Sequence, residues 1–258
     1  GIAVESRYLD GIDQPITDFL DPSSFDIRPE HKFVTVGQLL TMASGLYWSS
    51  NNLGGYGEWI QSDMHVDYLL SRDFTSTPGE SFTYNPGAVH LLSVVLEEAV
   101  GRPLQDFADE VLFRPLGIGQ RSWERISSGY VNGSSGLDLR PRDLARIGQL
   151  YLQDGWSGTT SIVPERWVAE TVQPQWPGLG SVGPVQDLSY GYLWWLDEDN
   201  EAFFAWGFAG QFIYVVPAHQ LIVVATTDWQ GVSEDVGSSA LEEDVLGLIV
   251  HGVLSAAR

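Results

Sequence analysis

The sequence predicts an α+β fold in which a helical region is followed by an antiparallel sheet that a C-terminal helix covers. Two observations carry this. From Val34 to Val172 apolar residues recur at helical spacing between short loops. From Tyr190 the period changes to short aromatic and β-branched runs separated by turn residues. The last stretch, Ser238 to Leu254, returns to a helical stripe with Leu241, Val245, Leu248 and Ile249, suited to lying across the sheet. The expected division is residues 1–184 as a mostly helical region and 185–258 as sheet plus terminal helix.

Taken in order, Gly1 to Ile27 reads as a short helix or turn and then a loop anchored by Leu9, Ile12, Ile16, Phe19 and Leu20. Thr35 can cap a helix running through Met42, ended by Gly45. The central element spans Pro78 to Gly101. Ala88, Leu91, Leu92, Val95, Leu96 and Ala99 follow the helical period and Val89, Val94 and Val100 add apolar surface elsewhere, so the helix is expected to be buried on most sides. Asn85 suits the N-cap, Pro86 the first helical position and Gly101 the left-handed residue past the end. Tyr84 therefore precedes a helix start, where N–H groups favour a developing negative charge. A tyrosine there either fixes a loop by packing or serves as an acid–base group at the mouth of a cleft.

Further helices are expected from Pro103 to Phe113, closed by Pro115 to Ile118, then from Pro141 through Leu152, and from Pro164 onward. A Ser- and Gly-rich loop, Ser127 to Gly136, separates the first two. Gly178 to Gly183 has the spacing of a dinucleotide glycine motif, but Pro177 and Pro184 bracket it, with neither a strand before nor a helix after, so it reads as a loop. Strands are expected at Tyr190–Leu196, Ala202–Gly207, Gln211–Val216 and Leu221–Thr227 as an antiparallel meander.

The formal net charge of −21, with Lys32 as the sole lysine, disfavours nucleic acid and anionic lipid as partners. No apolar run is long enough for a membrane span, and a soluble protein is expected. With no cysteine, disulfides, thiolate metal sites and cysteine nucleophiles are excluded. Asp63, His65 and Asp67 alternate acid and imidazole, but on a helix these positions diverge, and a solvated face explains them better than a metal site. No cofactor is expected. His90, on the central helix, reads as a packed residue before a catalytic base.

Six stretches, in order, resemble the serine β-lactamase and penicillin-binding-protein superfamily, near class C β-lactamases, related esterases and 6-aminohexanoate-dimer hydrolase. They are residues 35–46, 78–101, 112–118 and 142–152, then Tyr190 to Trp195 and Trp206 to Gln211. The resemblance covers nearly the whole chain and implies hydrolysis of a lactam, amide or ester through an acyl-enzyme. By it Tyr84 takes the role of the catalytic tyrosine that shuttles a proton, and the backbone N–H of Phe208 that of an oxyanion-hole donor. Asn85, Trp206, Gly207, Gly210 and Gln211 would then line the substrate.

Three departures from the family pattern bear on activity. The lysine of the family's strand motif falls on Ala205, or on Trp206 in an alternative registration. Pro86 stands where the family often has Asn or Ser, and Asn85 reads first as a cap. The nucleophile motif Ser-x-x-Lys is absent, since three residues before Lys32 stands Pro29. The sequence reads as beginning inside the nucleophile helix, with the attacking serine and lysine upstream. Three readings follow: a serine hydrolase of which this is the larger part, a catalytically inactive binding or scaffolding protein of the same fold, and, more weakly, a ligand-binding module with tryptophans as stacking platforms. An exposed sheet edge and an empty groove would favour a complementary N-terminal fragment or a homodimer as partner.

Overall fold

A computed structural model describes residues 1–49, 54–126, 129–228 and 238–257; Ser127 and Ser128, at the start of the Ser- and Gly-rich loop, lie outside them. The chain forms two compact units, Gly1–Asp138 and Leu139–Arg258. Its α+β architecture, with a helical region, an antiparallel sheet and a C-terminal helix packed on that sheet, is the one the sequence predicts.

In the first unit, helices α1 (Ile2–Glu5), α2 (Val36–Leu40), α3 (Tyr56–Trp59) and α4 (His65–Leu70) precede α5 (Pro86–Val100) and α6 (Leu104–Ala108). α5 packs against α2, α3, α4 and α6. Its side chains from Gly87 to Val95 are buried except Val89, which is half-buried, so the helix is enclosed on most sides as its composition requires. Gly101 ends it at φ 67°, the conformation that only glycine adopts without strain. One apolar cluster gathers Ala3, Leu9, Val100, Leu104, Phe107 and Val131.

Two helices differ from expectation. α2 begins at the Thr35 cap, where Thr35 and Gln38 exchange side-chain-to-backbone hydrogen bonds, but it stops at Leu40 and Met42 turns left-handed at φ 59°. The backbone there has another partner: the Met42 carbonyl accepts the Thr83 N–H at 2.8 Å and the Ala43 carbonyl accepts the Gly79 N–H at 2.8 Å. The segment thus gives up helical bonds to pair with the approach to α5. The Pro103 to Phe113 helix is α-helical only over α6 and widens into a π turn, Asp109–Phe113, before Gly117 closes it at φ 69°. A short ribbon of β1 (Arg121–Trp123) and β2 (Leu137–Leu139), which periodicity alone did not mark, follows.

The second unit holds α7 (Pro141–Leu152), a small ribbon of β3 (Trp156–Ser157) and β4 (Thr160–Ser161), and α8 (Glu165–Thr171). A five-stranded antiparallel meander follows: β5 (Leu188–Tyr190), β6 (Trp195–Asp197), β7 (Ala202–Gly207), β8 (Gln211–Val216) and β9 (Leu221–Ala225), in that order across the sheet. The expected single strand Tyr190–Leu196 is a reversal joining two strands. Gly191 is pressed so closely on α8 that a Cβ would lie 2.2 Å from the Thr171 carbonyl oxygen, and that oxygen accepts the Tyr192 N–H at 2.9 Å. Leu193 adopts φ 60° to complete the turn.

Strand alternation gives the sheet two apolar faces. Phe204, Phe212 and Tyr214 pack with Leu246, Ile249, Val250 and Leu254 of the C-terminal segment, while Phe203, Ile213 and Val215 pack with Leu144, Ile147 and Tyr151 of α7. The C-terminal segment is α9 (Ser238–Gly247) followed by a π turn, Leu248–Leu254. The buried stripe lies to one side of the expected one. Leu248, expected inside, is 70% exposed, whereas Leu246, Ile249, Val250 and Leu254 are buried. β9 has β8 as its neighbour on one side and, among the described residues, no strand on the other.

α7 approaches the sheet at Gly148, where a Cβ would stand 2.8 Å from Ile222 and 3.2 Å from Ile213. Gly148→Leu must push helix and sheet apart. It should cost roughly 1–3 kcal/mol and lower the thermal midpoint by about 2–8 °C, measured by circular dichroism; an unchanged midpoint would mean that α7 does not rest on the sheet at this point.

Candidate functional site

Tyr84 owes its position to the residue after it. Asn85 is extended at φ −136°, its side-chain oxygen accepts the Ala88 N–H at 3.1 Å and its own N–H meets the Met42 sulfur at 3.4 Å. Asn85 is 1% exposed while Tyr84 is 46% exposed. The chain therefore leaves the interior between these two residues, and the phenol stands at the surface just ahead of the partly positive end of a 15-residue helix. Gly87, in the first turn, carries the Trp48 indole so closely that a Cβ would lie 2.6 Å from its ring. Asn85 thus performs the capping task read from its sequence context.

In the second unit, β7 and β8 are paired from Phe203↔Val215 to Gly207↔Gln211, leaving Phe208, Ala209 and Gly210 as the turn. Gly207 is required by its pairing, since a Cβ would come 2.9 Å from that of Gln211. Gly210 sits at φ 92°, with Val245 and Thr227 about its Cα. Phe208 is 62% exposed at the tip. The Gln211 amide is engaged with Thr227: it donates to the hydroxyl at 2.7 Å and accepts the backbone N–H at 3.2 Å. Ala205 and Trp206 point to opposite faces. Ala205 packs toward the α7 side, and the Trp206 indole stacks near Phe212 with centroids 6.3 Å apart and tilts against Trp195 at 5.5 Å. Neither position carries a cation.

Sequence reasoning missed a buried histidine pair in the first unit. His65 on α4 and His90 on α5 are 2% and 1% exposed, their rings 5.9 Å apart, both against the Trp59 ring. Burial, and next to it the neighbouring His65, lowers the His90 pKa to about 4. His90 is thus a packed, neutral residue. The alternation of Asp63, His65 and Asp67 breaks up as helical geometry requires: His65 turns inward, and an Asp67 carboxylate oxygen accepts the Asp26 N–H at 2.8 Å. Among the described residues no group of three His, Cys, Asp or Glu is placed to hold a metal ion, and no helix is long and apolar enough to cross a membrane.

The family model described as Beta-lactamase matches residues 3–246. An esterase of Burkholderia gladioli, EstB, is 27% identical over 199 residues, covering 69% of this chain and 48% of the esterase, so the chain spans about half the length of that relative. Among solved structures, a Bacillus anthracis protein named for 6-aminohexanoate-dimer hydrolase superposes with a TM-score of 0.77 at 20% identity, covering 98% of this chain and 69% of that one. An octameric penicillin-binding protein homologue from Pyrococcus abyssi gives a TM-score of 0.68 at 17% identity, with 96% and 62% covered. At these identities the structures establish the shared fold.

Buried His90 makes the first unit sensitive to acid. An unfolded His90 binds its proton near pH 6.5, the folded one only near pH 4, so between these values the unfolded chain holds more protons and stability falls as pH falls. The loss should reach about 3 kcal/mol by pH 4. Urea unfolding at pH 7 and pH 4.5 should show it, and His90→Leu should remove most of the difference; the same slope in wild type and variant would assign the acid sensitivity to other groups.

Proposed function

The chain belongs to the beta-lactamase family, and from that premise we propose that it is the larger part of a serine hydrolase that opens an ester, amide or lactam through an acyl-enzyme. Tyr84 is the proton shuttle and the Phe208 N–H an oxyanion donor. The attacking serine and its lysine lie in polypeptide outside these 258 residues, which contain no Ser-x-x-Lys. Trp206 and Gly207 border the substrate on the strand side, Gln211 and Gly210 hold the backbone of the turn that follows them, and Asn85 holds the backbone beside Tyr84. The observation that carries the reading is the placement of Tyr84: a half-exposed phenol fixed ahead of a capped helix N-terminus by a buried neighbour.

An ester is the favoured substrate class. An amide nitrogen must be protonated to leave, which asks more of the acid than an alkoxide does. With Ala205 and Trp206 where the family places a lysine, the site has one fewer cation to assist that transfer. The curated relative named an esterase points the same way. The same shortage of cations favours a second reading, a non-catalytic protein of this fold.

Protein expressed with its upstream codons should hydrolyse nitrophenyl esters and gain the mass of one fluorophosphonate adduct. Tyr84→Phe should lower kcat by about 100- to 10,000-fold with little change in KM. No turnover and no adduct in the extended protein would leave the non-catalytic reading standing.

A further inference from the structure

The turn after β7 does not hold its shape by its own sequence. Ala209 lies at φ 59° and Gly210 at φ 92°, two left-handed residues in succession, and for an alanine that conformation costs on the order of 1 kcal/mol. Something outside the turn must secure it. The Ala209 N–H donates to a Glu242 carboxylate oxygen at 2.7 Å, from α9, 33 residues along the chain. The Ala209 carbonyl accepts the Thr227 hydroxyl at 2.5 Å. Both polar groups of one residue, itself 2% exposed, are therefore gripped, one by a helix and one by the chain beyond β9.

Glu242 is also out of place as a packing residue. It is buried on the sheet-facing side of α9, where the helix otherwise presents apolar groups such as Val245 and Leu246. Burying a carboxylate costs several kcal/mol unless it is hydrogen-bonded, so a residue that served only to pack would be a leucine.

We propose that Glu242 is the positioning residue of the oxyanion turn; the inference rests on the reading of the Phe208 N–H as oxyanion donor. The Phe208–Ala209 peptide contains the N–H that Glu242 holds, and Gly207 on the other side is fixed by its pairing with Gln211. With the backbone anchored on both sides, the direction of the Phe208 N–H is set. A donor tied in this way needs no reorganisation when charge develops on the substrate oxygen. Removing the Glu242 acceptor frees one anchor, so the donor is lost from its aim while the apolar contacts of α9 remain.

The test uses protein expressed with its upstream codons and a nitrophenyl ester. Glu242→Met keeps the volume and removes the acceptor; Glu242→Gln keeps a carbonyl oxygen that can take the same bond. The Met variant should lose about 10- to 100-fold in kcat with KM within about threefold, and the Gln variant should stay within about threefold of wild type in both. In the wild-type protein the Ala209 amide should be protected from hydrogen exchange. Equal losses in the two variants, a change in KM alone, or an unprotected Ala209 amide would overturn the inference while leaving the hydrolase reading intact. A wild-type protein without turnover overturns that reading and this inference with it.

Discussion

The hydrogen bond from the Ala88 N–H to the Asn85 side chain is the constraint on which the first unit's chemistry depends. An N-cap is worth about 1 kcal/mol, a small term against the burial of a 15-residue apolar helix, yet it decides where that helix begins. Because Asn85 is buried, the helix cannot start one residue earlier without burying Tyr84, whose hydroxyl would then need a partner. Pro86 excludes a different start by fixing φ and lacking an N–H. The position of the phenol is thus a consequence of capping chemistry, and the apolar contacts of α5 with α2, α4 and α6 supply the rigidity behind it.

The second unit solves a related problem by different means. A hairpin turn with two left-handed residues cannot be held by cross-strand pairing alone, and the chain uses two remote groups, Glu242 and Thr227, to hold it, with the Gln211 amide bonded in turn to Thr227. Beneath the turn the sheet is stiff. Trp195, Phe204, Trp206, Phe212 and Tyr214 form a contiguous aromatic face, with the Tyr214 hydroxyl donating to the buried Asp197 carboxylate at 2.6 Å. Such packing leaves the exposed Phe208 at the tip of a backbone that is held on either side.

What the sequence showed and what it hid follow from the range of the interactions involved. α5, α7, β7 and β8 were legible to the residue because their signals are local: Asn85-Pro86 and Arg140-Pro141 at helix starts, Gly101 at an end, and turns at both ends of each strand. Tyr190–Leu196 misled because its aromatic residues suit a strand, and the reversal at Gly191 is imposed by the Thr171 carbonyl from α8. The stripe on the C-terminal helix slipped because Leu241, Val245, Leu246, Leu248, Ile249 and Val250 offer two overlapping helical faces, and contact with the sheet decides which is buried. His90 alone read as packed, but its pairing with His65 gave no signal, the two being 25 residues apart on helices whose packing no local pattern states. Glu242 did leave one, a charge four residues before Leu246 in a core stripe, which in a buried setting points to a specific hydrogen bond.

Magnitudes limit how much of the proton transfer these residues could carry by themselves. A phenol with a pKa near 10 must be brought down by about three units, or roughly 4 kcal/mol, to shuttle a proton near neutrality. The end of α5 contributes typically 0.3–1 kcal/mol at an exposed site, less than one unit. The formal net charge of −21 opposes the shift, and the sole lysine, Lys32, has its ammonium 5.0 Å from the centre of the Phe33 ring. Ala205 and Trp206 add no charge. On the proposed reading the remaining few kcal/mol would come from a desolvated cation close to the Tyr84 oxygen, since a screened surface charge falls well short of that. In that proposal the lysine that accompanies the attacking serine is the group that supplies the charge, so the role of Tyr84 and that lysine stand or fall together.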